Sequence, residues 1–187
     1  MSTEHTAAPA IADMSEQMQI RLEKRAKLIE SGREAYPVGL LDSEGNRVEP
    51  NHIEDLRAEY DPKLESGELK AGDETERVVH VGGRVVFVRN TGKLCFATLQ
   101  GGTEGKRIQA MLSLAEVGEE SLAEWKSLVD LGDHVFVTGR VIVSRRGELS
   151  IMVTDWKMAS KALRPLPVLH KELSEESRVR RRYVDLI

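Results

Sequence analysis

Residues 78–113 read VVHVGGRVVFVRNTGKLCFATLQGGTEGKRIQAMLS, and this stretch decides the fold. Apolar residues recur in it at every second position, and glycines divide it into three runs. The runs predict β-strands at 78–89, 93–100 and 106–113. A glycine pair inside a valine-rich strand usually marks a bulge or a sharp bend, so we expect one at 82–83.

The second and third runs leave an unusual set of side chains opposite their apolar faces. Cys95 and Leu99 share the inward face of the second run, whereas Phe96 lies on its outward face. Gln109 takes the outward face of the third run, and Arg89 ends the first. An aromatic ring beside such polar groups is typical of a surface that stacks on a nucleobase and bonds to its edge. The alternative is a scattered surface Phe, which is common in proteins.

Segments on both sides of these strands complete the predicted architecture. Their periodicity predicts three helices, at 15–31, 53–60 and 119–131, and two more strands, at 133–145 and 148–155. Ser15 is suited to cap the first helix, Gly32 to stop it, and Pro62 to end the second. The polar residues 66–76 predict a loop, and residues 1–13 a disordered arm.

Three strands, a helix and two further strands, with a long bent first strand, is the order expected of an OB-fold barrel. The predicted class is therefore β with α extensions (α+β): a five-stranded barrel with a helix between strands three and four, preceded by N-terminal helices. Four domains are expected: the arm at 1–13, a helical extension at 14–76, the barrel at 77–160 and a linker at 161–187. OB-folds bind single-stranded nucleic acid across strands two and three, which carry Phe96 and Gln109.

Charge is distributed unevenly along the 187 residues. The chain has 27 Lys and Arg against 31 Asp and Glu, a net charge of −4 that is unusual for a nucleic-acid-binding protein. Residues 77–111, however, carry six basic residues against Glu104 alone. Because attraction to phosphate is screened beyond ~10 Å, this local excess matters more than the total. The basic segment coincides with the strands that carry the outward polar set.

Sequence patterns for catalysis are missing, so we predict no catalytic, cofactor-binding or metal-ligating residue in the chain. Its histidines lack metal-ligand spacing, and the run GGTEGK at 101–106 lacks the context of a phosphate loop and predicts a hairpin turn. The single Cys95 excludes an internal disulfide and fits a reducing compartment. No run is apolar and long enough to cross a membrane, and the N-terminus is unlike a signal peptide. We therefore expect a cytoplasmic protein without membrane association.

Several motifs in about the last 110 residues of the chain resemble one known family. They are Gly83-Arg84, Arg89, Gly92-Lys93, 96–100, Ile108-Gln109, 131–133, 147–149 and KALRPLP at 161–167. This pattern resembles the N-terminal anticodon-binding domain of bacterial class II lysyl-tRNA synthetases. The barrel pattern alone is shared with aspartyl- and asparaginyl-tRNA synthetases, and the Leu-Arg-Pro-Leu-Pro run is what indicates the lysyl family. The segment EESRVRRRYVDLI at 175–187 resembles the linker into the catalytic domain of that family.

The resemblance implies four anticodon-binding residues and two further candidate RNA contacts: Arg89, Phe96, Gln109 and Glu148, then Lys93 and Arg107. The central uridine of the anticodon would stack on Phe96 and be read by the other three. A uracil edge offers an acceptor, the N3–H donor and a second acceptor; Arg supplies donors, Glu an acceptor, and Gln either. Cytosine has no N3–H and would leave the Glu148 carboxylate unpaired. The residues alone favour a different role for Glu148, as a turn residue beside Gly147.

The resemblance also implies an activity beyond this segment. Members of the family are homodimeric, ATP- and Mg-dependent ligases that join lysine to tRNA(Lys). We therefore expect the N-terminal fragment of such a ligase, one that binds tRNA(Lys) but is inactive alone because the class II catalytic domain is absent. Two alternatives remain open: a free-standing OB-fold protein that binds single strands without sequence preference, and a non-catalytic synthetase paralogue.

Overall fold

The computed structural model describes residues 15–41, 45–102 and 104–166. Its elements are, in chain order, α1 Glu16–Glu30, α2 Ile53–Glu65, β1 Glu74–Asn90, β2 Leu94–Gly101, β3 Lys106–Ser113, α3 Leu114–Val117, α4 Glu119–Leu128, β4 His134–Val143 and β5 Leu149–Ser160. The strands form a closed ring in the order β1-β2-β3-β5-β4, in which β4 also pairs with β1. The predicted five-stranded OB-fold with N-terminal helices is confirmed.

One parallel ladder closes the barrel. Four residues of β3, from Gln109 to Leu112, pair in parallel with Ser150 to Val153 of β5, whereas the other neighbouring strands pair antiparallel. The inward residues of the strands form a continuous apolar core. Helix α4 adds Trp125 to that core, with its ring centroid 5.2 Å from that of Trp156 in an edge-to-face contact.

Several elements differ in length from their predicted bounds. Helix α2 runs through Pro62 to Glu65, because Tyr60 is buried and Leu64 packs against the core, which outweighs the hydrogen bond that a proline cannot donate. Strand β1 begins inside the predicted loop at Glu74, where it pairs with Ile142 of β4. Strand β5 continues to Ser160 because its last residues pair with the first half of β4.

The region before β4 also departs from the predicted single helix. It forms α3 and α4, separated by Gly118 with φ +82°, and α4 ends at Leu128. No register shift lies at the glycine pair, because β1 shifts against β2 between Val85 and Phe87 instead; a bulge at 82–83 is therefore wrong, and a sharp bend there stays a prediction. A Cβ on Gly83 would lie 3.0 Å from Cβ of Leu99, so glycine there permits close packing between strands. The predictions for residues 1–13 and 167–187 lie outside the described residues.

A buried ion cluster fixes the chain where it leaves β5. The Lys161 ammonium is fully buried and donates to Asp130 Oδ2 at 2.6 Å, Asp133 Oδ2 at 2.7 Å and the Leu128 carbonyl at 2.7 Å. Lys24 of α1 donates to the other Asp130 oxygen at 2.6 Å. Burial raises the pKa of Asp130, but the hydrogen bonds from Lys161 and Lys24 outweigh it and hold that pKa below its ordinary value. The cluster therefore ties α1 and residue 161 to the barrel.

Gly139→Ala is expected to destabilise the barrel strongly. An added Cβ would overlap with the backbone carbonyl of Met152 on β5, which cannot move without breaking the β4–β5 ladder. We expect a loss of about 3 kcal/mol or more in the free energy of unfolding, measured by urea denaturation. Gly39→Ala is the control, because its Cβ would meet nothing nearer than Arg47 Nε at 3.9 Å. Equal stability of the two variants would contradict the close approach of β4 and β5.

Candidate nucleic-acid interface

One open cavity of ≈ 860 Å³ lies across β1, β2 and β3 and reaches the turn between β4 and β5. Its volume falls in the ~300–1,000 Å³ range of ligand-binding clefts. The four residues predicted to contact a base all line it: Arg89, Phe96, Gln109 and Glu148. The fold thus brings together side chains from three strands and one turn.

Arg89 and Phe96 form a direct pair. They lie opposite each other in the β1–β2 ladder, and the guanidinium carbon of Arg89 is 4.7 Å from the centroid of the Phe96 ring. This is a cation–π contact. Phe96 is half-buried and lies between the buried residues Cys95 and Ala97, so its ring is on the outer side of the barrel. The pair places an aromatic ring and hydrogen-bond donors next to each other at the cavity.

The register shift in β1 is what turns Arg89 outward. Before the shift the odd-numbered residues Val79, Val81 and Val85 are buried. The shift between Val85 and Phe87 is a β-bulge, which moves the following residues by one position relative to β2. After it Val88 packs against the core, while Phe87 and Arg89 are exposed. A regular strand would have directed Arg89 into the core.

A buried serine holds the amide of Gln109. Ser150 Oγ lies 3.1 Å from Gln109 Oε1 and 2.9 Å from the carbonyl oxygen of Glu148. A hydroxyl has one proton and can donate to one of these oxygens at a time. When it donates to Gln109, the amide nitrogen is left to donate into the cavity. When it donates to Glu148, the amide can turn so that its nitrogen donates to Ser150 and its oxygen is left as the acceptor.

Glu148 is both a turn residue and an exposed acceptor. Gly147 before it has φ +83°, and its N–H donates to the Ser144 carbonyl at 2.8 Å. The Ser144 N–H in turn donates to the Glu148 carbonyl at 2.9 Å, which fixes the backbone of the turn. Among the described residues, the Glu148 carboxylate has no ion-pair partner. The two interpretations of this residue are therefore compatible.

The two further candidates lie outside this cavity, since neither Lys93 nor Arg107 is part of its lining. Both are exposed, Lys93 between β1 and β2 and Arg107 near the start of β3. The Arg107 carbonyl accepts a hydrogen bond from Arg57 Nε at 2.8 Å. Their side chains offer positive charge at the periphery and do not contribute to the cavity itself.

Among the lining residues that were not predicted, three could contact a nucleic acid directly: Phe87, Arg145 and Arg146. The two arginines lie in the tight turn before Glu148 and are exposed. In the described part of the chain, no carboxylate lies within ion-pair distance of these arginines or of Arg89. The basic pair before Gly147 was a visible signal in the sequence, whereas Phe87 is hidden in a run of valines. The cavity therefore has more unpaired positive than negative charge.

The described residues offer no alternative site for redox or metal chemistry. Cys95 is fully buried, and burial raises the pKa of its thiol, which keeps it protonated at neutral pH. No group of three His, Cys, Asp or Glu side chains within 15–41, 45–102 and 104–166 is arranged to hold a metal ion. None of the helices in these ranges is both long and apolar enough to span a membrane.

Comparison with known proteins agrees with the observed fold. Residues 79–159 match the family of OB-fold nucleic acid binding domains. The chain is 57% identical over 175 residues to a lysine–tRNA ligase of Kineococcus radiotolerans. The match covers 94% of this chain and 32% of that protein. It is 54% identical to the ligase of Mycolicibacterium gilvum, a match that covers 94% of this chain and 32% of the relative. It is 38% identical to that of Bordetella parapertussis, a match that covers 99% of this chain and 34% of the relative. The chain thus spans about a third of the length of these relatives.

Phe96→Ala and Leu99→Ala are expected to separate the outer face of β2 from the core. Leu99 is fully buried, so its truncation should lower the free energy of unfolding by about 2–5 kcal/mol. Phe96 lies on the outer side, so its truncation should change that free energy by about 1 kcal/mol or less. Urea denaturation of both variants measures the difference. A Phe96→Ala protein as unstable as Leu99→Ala would mean that the ring belongs to the core.

Proposed function

This chain belongs to the lysine–tRNA ligase family through its anticodon-binding OB-fold domain, and we propose that its cavity binds the anticodon of tRNA(Lys). The observation that carries the proposal is the convergence of one aromatic ring and three hydrogen-bonding side chains on a single cavity: Arg89, Phe96, Gln109 and Glu148. We assign them the recognition of the central uridine. The unpaired arginines at the cavity support an anionic ligand.

The proposed base is a uracil stacked on Phe96. A stack of this kind contributes ~1–3 kcal/mol and tolerates any base, so the edge contacts must supply the selectivity. The Glu148 carboxylate accepts a hydrogen bond from N3–H, and Arg89 donates to one carbonyl oxygen. Gln109 donates to the other when Ser150 donates to its Oε1. This set of donors and acceptors is complementary to uracil.

Cytosine differs from uracil at N3, and this atom makes it a poor ligand for the same surface. Its N3 is an acceptor, so it would face the Glu148 carboxylate without a proton between them. A wrong base at one edge usually costs ~1–3 kcal/mol. The expected preference for uracil is therefore about one to two orders of magnitude in affinity.

The two turn arginines, Arg145 and Arg146, are proposed to contact phosphates. Both are exposed and without ion-pair partners among the described residues, which suits groups that form salt-dependent contacts with a strand. Such contacts add affinity for any sequence and orient the loop relative to Phe96. They do not select the base.

For the parent protein we propose the activity of the named relatives: an ATP- and Mg-dependent lysine–tRNA ligase, homodimeric and cytoplasmic. This chain matches about a third of the length of those proteins, and we propose that it selects the tRNA. The division into a helical extension at 14–76, a barrel at 77–160 and a linker at 161–187 stays a prediction.

A pair of anticodon stem-loops tests the proposal, one with UUU and one with the central U changed to C. We expect the UUU loop to bind about tenfold or more tightly, measured by fluorescence anisotropy at fixed salt. Glu148→Gln should narrow this difference, because an amide can donate to cytosine N3. The matched control is Glu68→Gln, an exposed position outside the cavity. Equal binding of the two loops by the unmodified chain would favour a sequence-independent single-strand-binding protein instead.

Ser150→Ala is expected to weaken binding of the UUU loop through Gln109. The variant removes the hydroxyl that orients the amide, so affinity should fall about 2- to 12-fold, equivalent to ~0.5–1.5 kcal/mol. In the Gln109→Ala background the same substitution should cost nothing further, because the group it orients is gone. Additive losses in the double variant would show that Ser150 does not act through Gln109.

A further inference from the structure

We propose that Phe87 is a second stacking platform, which holds the base of the nucleotide next to the one on Phe96. The inference rests on the proposed function, since it assumes that the cavity receives a single-stranded RNA loop. It extends the recognition surface from one base to two consecutive bases. None of the motifs that relate the chain to its family includes this residue.

Exposure of the ring is the first observation. Phe87 is 54% exposed, and of the large apolar side chains exposed in the described residues it alone lines the cavity. Burial of a Phe side chain is favourable, and the fold leaves this one on the outer face through the bulge that precedes it. An aromatic ring kept in water beside a basic cavity is suited to a flat ligand.

Strand register supplies the second observation. Arg89, Phe96 and Met111 form one row across β1, β2 and β3, and Phe87, Thr98 and Gln109 form the neighbouring row. The first row holds the Phe96 ring with Arg89, and the second holds the Phe87 ring with Thr98, next to Gln109, which is assigned to the central base. The rows thus repeat the same kind of binding surface twice.

Spacing between the rows fits two bases. Phe87 and Phe96 are diagonal neighbours on adjacent strands, a relation that separates residues by ~7–8 Å. This is about twice the ~3.4 Å rise between nucleotides stacked in a duplex strand, so each base would lie on its own ring. The cavity of ≈ 860 Å³ is near the upper end of the ~300–1,000 Å³ range for whole ligands and is large for a single base.

The test compares Phe87→Ala, Phe87→Leu, Phe87→Trp and Phe96→Ala in the 187-residue chain. The UUU stem-loops are used intact or with an abasic site at the central position or at either of its neighbours. Phe87→Leu keeps an apolar side chain without the flat ring and guards against a loss of folding. Val78→Ala is the control, an exposed position on the same strand that lies outside the cavity. Affinity is measured by fluorescence anisotropy and folding by thermal denaturation.

Both Phe87 variants should lose about 5- to 150-fold in affinity for the intact loop, which corresponds to ~1–3 kcal/mol. With an abasic site at one of the two neighbours that loss should disappear, because the base that would stack on Phe87 is missing. Val78→Ala should bind as the unmodified chain does. Phe87→Trp should retain affinity.

Three results would overturn the inference, and they are distinguishable. Unchanged affinity of the Phe87 variants, with a loss in Phe96→Ala, would remove the second platform and leave the proposed function intact. Coupling of Phe87 to an abasic site at the central position would mean that both rings clamp one base. Unchanged affinity in Phe96→Ala as well would reject the proposed function together with the inference.

Discussion

The parallel ladder between β3 and β5 is the constraint on which the candidate site depends. Five strands close into a ring only if the last strand of the chain reaches the third, and here four residue pairs make that junction. The first of these pairs is Gln109 with Ser150. The pairing that closes the barrel therefore also places Ser150 where it orients the Gln109 amide. The same ladder brings the turn with Arg145, Arg146 and Glu148 beside strands that are distant in sequence.

Regular alternation made part of this site predictable, and a bulge hid the rest. β2 and β3 alternate without interruption, so the sequence alone put Phe96 and Gln109 on the outer face and Cys95 on the inner one. In β1 the residues around the bulge are valines at both odd and even positions. Such a run does not show where the inward-facing residues change from odd to even positions. Phe87 was missed because its exposure depends on a register shift that composition does not encode.

Long-range contacts account for what local patterns did not predict in the fold. Pro62 is a helix breaker by local rules, yet burial of Tyr60 and packing of Leu64 continue the helix through it. Lys161 follows β5 in a segment predicted to be a linker, yet its ammonium is fully buried between two carboxylates. A buried charge is tolerated only when its partners satisfy it, and these partners come from the connection between α4 and β4. Lys161 and its partners are too far apart in the sequence for a local pattern to reveal the cluster.

In the proposed recognition of a uracil, exposure to water limits how much selectivity the Glu148 carboxylate can provide. The group is exposed in the free protein, so water hydrates it and its interaction with any single base edge is weak. Two unit charges 4 Å apart interact by about 1 kcal/mol in bulk water and by ~4 kcal/mol at the lower effective dielectric constant near a protein surface. A base edge carries partial charges and gains less, but in the same proportion. A base stacked on Phe96, as proposed, would displace water from the carboxylate, and only then would a missing N3–H leave an unpaired charge. The proposed function therefore couples affinity from the ring to discrimination at the edge, so that loss of the stack would weaken both.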